Sequence, residues 1–479
     1  MQLRPFFSLS VVFLLGLSSQ QLSSQAFAPR AEQPPPVGLP TLPSYAFEVG
    51  QELSFAGEKN SVASYGETHS EVEWKFWVVR LNEDGSHRLV FERSTETRRK
   101  LRSGELREQP VSRSRGWVDM RSDGAFPVNP SIALGLDPSV VLVPLPRSLA
   151  EAASGWTCLV PIFDRRYRGR LSSEKNAAEI ATKGEAPSAA VRRISCEVDS
   201  PSHRNYLQEE SCQVEFDTAR GFPLKIDTFT RSTWRSESTS RGVIELTGVE
   251  RRDVAWAQQL AEELQHWFET KRSYDKVTLA GRTDAEHKDK RLSRGLQMLK
   301  DARERVKMPD VRKMFDELIV AHERREKYVS SYASRIGKIL NKPSPDWAAS
   351  TLGGEGRSLT DYAGKVLVLD FWYRGCGWCV RAMPQMNALA DHYRGKAVAI
   401  MGVNKDKDLA DAKFTVEAVG MRYESLHSEE IPKLYHILGY PTLVVIDTKG
   451  VVRDVHIGYS TDLQQSLTVI IDGLLAERD

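Results

Sequence analysis

Apolar and polar residues alternate with period two from Tyr45 to about Glu250, and the repeat changes to about 3.6 after Arg252. In Glu71 to Val79, the set Val72, Trp74, Phe76 and Val78 shares one strand face, with charges on much of the other. Asn82 to Gly85 supplies a turn and Arg88 to Glu92 resumes the extended run, which predicts a hairpin. Further strands are predicted at Val140 to Leu145, Val191 to Val198, Ser211 to Phe216, Leu224 to Thr230 and Gly242 to Val249. The stretch from Ser172 to Ala190, poor in large apolar residues, is expected to be an exposed loop. So many short strands predict a β-rich sandwich or open barrel over residues 45–250 rather than a parallel sheet with crossover helices.

The helical period predicts a connector over residues 251–341. Val254, Ala257, Leu260, Ala261, Leu264, Trp267 and Phe268 form one stripe. Pro309 fits the first turn of another helix, whose stripe is Val311, Met314, Phe315, Leu318 and Ile319, extending toward Tyr328, Tyr332 and Ile336. Basic residues here are interleaved with acids, which describes a solvated face and not a nucleic-acid surface. Such arms have two uses, pairing two copies as a homodimer or docking the terminal part of the chain. Lys342-Pro343-Ser344-Pro345 ends the helix and opens an α/β module over residues 342–479.

With 479 residues the chain has room for several domains, and 66 Lys+Arg against 64 Asp+Glu leave a charge of +2, too little for a field that recruits nucleic acid. Arg4, the apolar stretch from Phe6 to Leu17 and Ala26-Phe27-Ala28 predict a signal peptide over residues 1–28. Residues 29–44, rich in proline, read as a flexible leader. The expected location is the periplasm, with secretion as the alternative, and no span is expected to remain after cleavage. Export places the five cysteines in an oxidising compartment. Cys196 is in phase with Ile194 and Val198, and Cys212 with Val214 and Phe216, so a structural disulfide between them is expected, worth about 3 kcal/mol by loop closure. Two buried free thiols are the alternative. Cys158 is expected to be buried and unpaired.

The run Lys365 to Phe371, KVLVLDF, reads as a buried strand, followed by Cys376-Gly-Trp-Cys379 and a helical stripe including Val380, Met383, Leu389 and Ala390. A helix start offers unpaired N–H groups and the positive dipole end to the first thiolate. Cys376 is therefore the expected nucleophile, exposed at the helix start, and Cys379 the resolving thiol. A zinc site would need two more ligands, a c-type haem would need His where Val380 stands, and no cofactor or metal is expected. A purely structural disulfide is the bland alternative. Asp370 is costly in an apolar strand; burial favours its neutral form and fits proton exchange with Cys379, unless it only caps a turn.

From about Trp347 to Asp479 the sequence resembles the thioredoxin superfamily, most closely exported TlpA/ResA-like thiol–disulfide oxidoreductases. The residues that carry the resemblance are Ser358-Leu-Thr-Asp-Tyr-Ala-Gly-Lys365, Asp370, Phe371-Trp372, Cys376, Cys379, Pro384, Gly439-Tyr440-Pro441-Thr442, Gly450 and Gly458. It implies a cis-proline loop in which the backbones of Tyr440 and Thr442, on either side of Pro441, face an extended substrate beside Cys376. The implied function is extracytoplasmic disulfide exchange with protein thiols or disulfides, served by an unidentified extracytoplasmic electron donor or acceptor. Gly375 stands where the family usually has Trp, and Trp378 occupies the dipeptide position commonly held by Pro or His. Trp378 offers substrates an apolar platform without charge, which favours reduction or exchange over strong oxidation. Residues 404–430 look like the family's insertion, with a helix over Leu409 to Val419. A peroxiredoxin's P-x-x-x-[ST]-x-x-C pattern is absent, because Leu369 and Tyr373 occupy its key positions before Cys376. The alternative of another class is an envelope adaptor whose β-rich region recognises a partner while the terminal module is structural.

Overall fold

The computed structural model describes residues 42–64, 66–126, 137–160, 165–172, 191–199, 208–232 and 237–477. The signal peptide, nearly all of the leader and nearly all of the expected loop to Ala190 lie outside them. Among the described residues, ten strands form one antiparallel sheet: β1 Gln51–Ala63, β2 Gly66–Leu81, β3 His87–Leu101, β4 Leu106–Met120, β5 Trp156–Val160, β6 Arg165–Leu171, β7 Val191–Asp199, β8 Gln208–Asp217, β9 Phe222–Ser232 and β10 Ser238–Arg251. Their order is β4-β3-β2-β1-β10-β9-β8-β7-β6-β5, two meanders joined where β1 pairs β10.

Every strand contributes to one apolar cluster, from Leu53 and Phe55 on β1 through Trp74 and Phe76 on β2 to Trp156 and Val160 on β5. Strands so far apart in the order share a core only if the sheet rolls inward, so this β-rich region is one rolled antiparallel sheet. The expected strand at Val140 to Leu145 is also corrected. Pro138–Val140 is a 3-10 turn capped by the Asp137 side chain, and Val141, Leu142, Val143 and Leu145 thread into the rolled sheet as a buried plug. Cys196 and Cys212 lie directly opposite each other on β7 and β8, yet both are free thiols, so the expected disulfide is not formed. The hydrogen bond with Cys212, reinforced by burial, pushes the Cys196 thiol well above its ordinary value, which leaves little thiolate to oxidise.

Four helices follow: α2 Val254–Ala280, α3 Lys288–Glu304, α4 Pro309–Val320 and α5 His322–Ile336, after a short α1 at Leu149–Ser154. Asp253 caps α2 and Pro309 opens α4. Their stripes cover the outward face of the sheet, packing Ala257, Leu260, Leu264, Val311 and Phe315 against Val79, Val90 and Trp117. The arms thus dock inside the chain.

The other seven strands among the described residues are β11 Ala348–Thr351, β12 Gly356–Ser358, β13 Val366–Trp372, β14 Val398–Asn404, β15 Ser425–His427, β16 Thr442–Ile446 and β17 Val452–Ile457. They assemble in the order β12-β11-β15-β14-β13-β16-β17, with β13 parallel to β14 and antiparallel to β16. All seven residues of β13 are buried. The helices are α6 Gly377–His392, α7 Leu409–Val419, α8 Ile431–Leu434 and α9 Leu463–Ala476.

The packing does not break at Lys342. Ile336 and Ile339, upstream of the proline boundary, lie in the core around Leu369, Phe371 and Val444, and the Asn341 N–H donates to the Val452 carbonyl at 2.8 Å. Each buried isoleucine is worth about 1.5–3 kcal/mol. A fragment beginning at Pro343 is therefore expected to unfold at lower denaturant than one beginning at Ser330. Equal midpoints in parallel urea titrations would show that the two isoleucines contribute nothing to this core.

Candidate active site

The site is built where β13 ends. After Trp372 the chain turns so that Cys376 becomes the N-cap of α6, its N–H donating to the Tyr373 carbonyl at 3.0 Å. Its Sγ accepts the N–H of Cys379 at 3.1 Å and is bonded to Cys379 Sγ in a disulfide. A sulfur in the cap position takes an orphan helix donor, so negative charge developing there is met by a hydrogen bond and the helix dipole. Pro384 lies inside α6, and the Tyr440–Pro441 bond is cis.

The expected exposure of Cys376 is corrected: only 5% of its surface is accessible, against 1% for Cys379. Both pack with Trp372, Met383 and Ala412, and the rings of Tyr373, Trp378 and Tyr440 lean on the same cluster. The rim around them is aromatic and cationic. Tyr373 and Tyr440 meet edge to face at 5.3 Å, and Lys405 Nζ lies 5.1 and 4.8 Å from their ring centres. Trp378 stacks on Tyr459 at 5.6 Å with the Arg381 guanidinium 4.9 Å above it, so its platform is shared with its neighbours. Thr442 sits at the start of β16, and its hydroxyl donates to the Gly439 carbonyl at 2.8 Å. Gly439 itself faces the helical segment: a Cβ there would stand 2.6 Å from the Tyr332 hydroxyl.

Asp370 is 2% exposed and, by the alternation of β13, shares a face with Val368 and Trp372, which pack toward α6. The Tyr423 hydroxyl donates to its Oδ2 at 2.6 Å. Burial drives the carboxyl up to about 6, while the hydrogen bond from Tyr423 opposes that rise. Burial pushes the Tyr423 phenol well above its ordinary value, and the Asp370 charge pushes it further. Tyr423, Tyr373, Lys405 and Tyr459 escape the sequence reading. Tyr373 alone carried a local signal, an aromatic three residues before the first redox cysteine. Tyr423 is brought to Asp370 only by the pairing of β14 with β15, across 53 residues.

Among the described residues, no group of three or more His, Cys, Asp or Glu is placed to hold a metal ion, and no helix is long and apolar enough to cross a membrane. The strand, capped dithiol and cis-proline loop define a thioredoxin-like module, and comparison with known proteins gives it a family. The AhpC/TSA family model matches residues 340–455. The thioredoxin-like protein YneN of Bacillus subtilis is 30% identical over 145 residues, spanning 85% of that protein and 29% of this chain. The thiol-disulfide oxidoreductase ResA of Geobacillus thermodenitrificans is 29% identical over 147 residues, 84% of that protein and 30% of this chain. The crystal structure of a putative thiol:disulfide interchange protein DsbE from Chlorobium tepidum is 30% identical, covering 97% of that chain and 28% of this one with a TM-score of 0.27. Through this module the chain belongs to the thioredoxin-like family of ResA- and YneN-related thiol–disulfide oxidoreductases.

Proposed function

We propose that the chain works outside the cytoplasm, exchanging its Cys376–Cys379 pair with disulfides of other proteins, and that it acts as a reductant rather than a strong oxidant. The observation that carries this reading is the placement of Cys376 Sγ as the cap of α6, on the N–H of Cys379. In the reduced protein, the Cys376 thiolate attacks one sulfur of a substrate disulfide, forming a mixed disulfide and releasing the other sulfur as thiolate. Cys379 then gives its proton to Asp370 and attacks Cys376 Sγ. That closes the internal disulfide and frees the second substrate thiolate, so two electrons pass to the substrate. A dithiol reductant must return the pair to the thiol state.

The direction rests on what stabilises the thiolate. A strong oxidant needs a strongly favoured thiolate. Here the nearby cations are engaged elsewhere: Arg374 with Asp411 and the Phe414 ring, Lys405 with two tyrosine rings, and Arg381 with Trp378. Pre-reduced protein is expected to reduce insulin stoichiometrically in a single turnover, and its measured potential should lie nearer that of thioredoxin than that of DsbA, about −270 against −120 mV. Reduced protein that leaves insulin intact would favour the adaptor reading, in which the β-rich region recognises a partner and the module is structural.

A further inference from the structure

The inward face of the rolled sheet is apolar over only part of its height. Beyond the floor formed by Phe55, Trp74, Phe91 and Ile226, the same face continues into charged and hydroxyl side chains. The register fixes their side. Lys59 on β1 lies opposite Ser70 on β2 and Gly242 on β10, and Gly242 lies opposite Thr228 on β9. Arg93 on β3 lies opposite Trp74, and its guanidinium sits over that ring at 5.6 Å. From the far side of the roll, Arg165 on β6 reaches in, with Nε 2.6 Å from Asp137 and Nη1 2.6 Å from Glu210 on β8.

Arg165 is matched twice over by those carboxylates. Lys59 and Arg93 are not matched: among the described residues neither makes an ion pair or hydrogen bond, the ring contact of Arg93 aside. On this face Arg93 is half-buried and Lys59 exposed, and the neighbouring protein disfavours the charged form of each. Lys59 is pulled down by desolvation and by repulsion from Arg93 and Arg165, while Glu210 acts the other way. Arg93 is pulled down by desolvation alone. Five strand positions separate β1 from β6, about 24 Å in a flat sheet. That the Arg165 charge nonetheless bears on Lys59 fits a roll that brings opposite walls toward one space. Among the described residues, three cations on this concave face stand against the two carboxylates of Asp137 and Glu210, and the positive excess raises the free energy of the empty protein and lowers it when an anion enters.

We propose that this concave face is a binding site for a phosphoryl group, as the dianion of a phosphate monoester or of a lipid headgroup. Lys59 and Arg93, neither held in an ion pair among the described residues, are the cations placed to meet an entering anion. The Arg93 guanidinium offers a planar fork to two oxygens and Lys59 a compact ammonium, while the hydroxyls of Ser70 and Thr228 line the same wall. The site lies on other elements than the dithiol and does not depend on the exchange chemistry.

The test uses the full chain with three probes: inorganic phosphate and sn-glycerol 3-phosphate by titration calorimetry, and phosphatidic acid in phosphatidylcholine vesicles by flotation. Saturable binding of at least one probe is expected, weakened about tenfold or more in the Lys59→Gln/Arg93→Gln double variant, in line with losing charge-assisted hydrogen bonds. Lys59→Arg should retain binding. Arg241→Gln, which alters a cation on the opposite side of β10, should leave it unchanged, and the far-UV circular dichroism spectrum and urea midpoint of every variant should match wild type, which reports that the sheet folds. Binding of a soluble probe identifies a free phosphate or ester as the source; binding of vesicles alone identifies a headgroup. No saturable binding of any probe, or binding that survives the double variant, overturns the proposal.

Discussion

Replacing Cys376 with Ser is expected to reduce insulin turnover to the uncatalysed level, while Cys379→Ser leaves a protein that still attacks and then stays attached to its substrate. The asymmetry follows from position. Cys376 Sγ is the cap of α6 and accepts the Cys379 N–H at 3.1 Å, whereas Cys379 lies one turn inside the helix. A charge at a helix N-terminus gains about 0.3–1 kcal/mol from the dipole, and a charge-assisted hydrogen bond adds about 1.5–3 kcal/mol. Only the first sulfur collects both. Accessibility points the same way, because the cysteine at the helix start is the less enclosed of two buried residues. Rapid-quench mass spectrometry separates formation of the mixed disulfide from its decay. Accumulation of adduct in Cys376→Ser, with none in Cys379→Ser, would reverse the two roles.

The parts of this site that sequence revealed are those built by neighbours in the chain. The apolar run of β13, the two cysteines and the stripe of α6 are consecutive, so their order alone predicts a strand feeding a capped helix. The rest is made by distant pairings. Tyr423 reaches Asp370 because β15 docks on β14, and nothing near Tyr423 in sequence signals that. Tyr459 finds Trp378 from beyond β17. In the ten-stranded sheet, the alternating stretches of β2, β3 and β7 to β10 were legible because one face is buried. The first half of β4 is exposed at every position and carries no such pattern. The opposite error arose at Val141 to Leu145, where an apolar run fits a buried plug as well as a strand.

Asp370→Asn is expected to make the protein more stable at neutral pH and slower at its chemistry. Burial raises this carboxyl from 3.8 to about 6, so the folded state holds the proton more tightly than the unfolded chain does. The associated stability is fully present below pH 3.8 and is lost as pH rises through 6, the sign opposite to that of a salt-bridged carboxylate. A shift of this size costs the native protein about 3 kcal/mol above pH 7. Asparagine keeps the shape, still accepts the Tyr423 hydrogen bond and never ionises. Urea midpoints for Asp370→Asn should therefore match wild type near pH 4 and exceed it increasingly toward pH 8. Over the same range, decay of the mixed disulfide in wild type should accelerate with a midpoint near 6, as the carboxylate becomes able to take the Cys379 proton. The Asn variant should decay about 100-fold or more slowly and without that midpoint, on the usual scale of general-base catalysis. Tyr423→Phe removes the donor that favours the carboxylate, so the midpoint should move upward while decay still occurs. If Asp370→Asn leaves the urea midpoint unchanged at pH 8, burial does not penalise the charge of Asp370. If adduct decay is also unchanged at every pH, another group accepts the proton of Cys379.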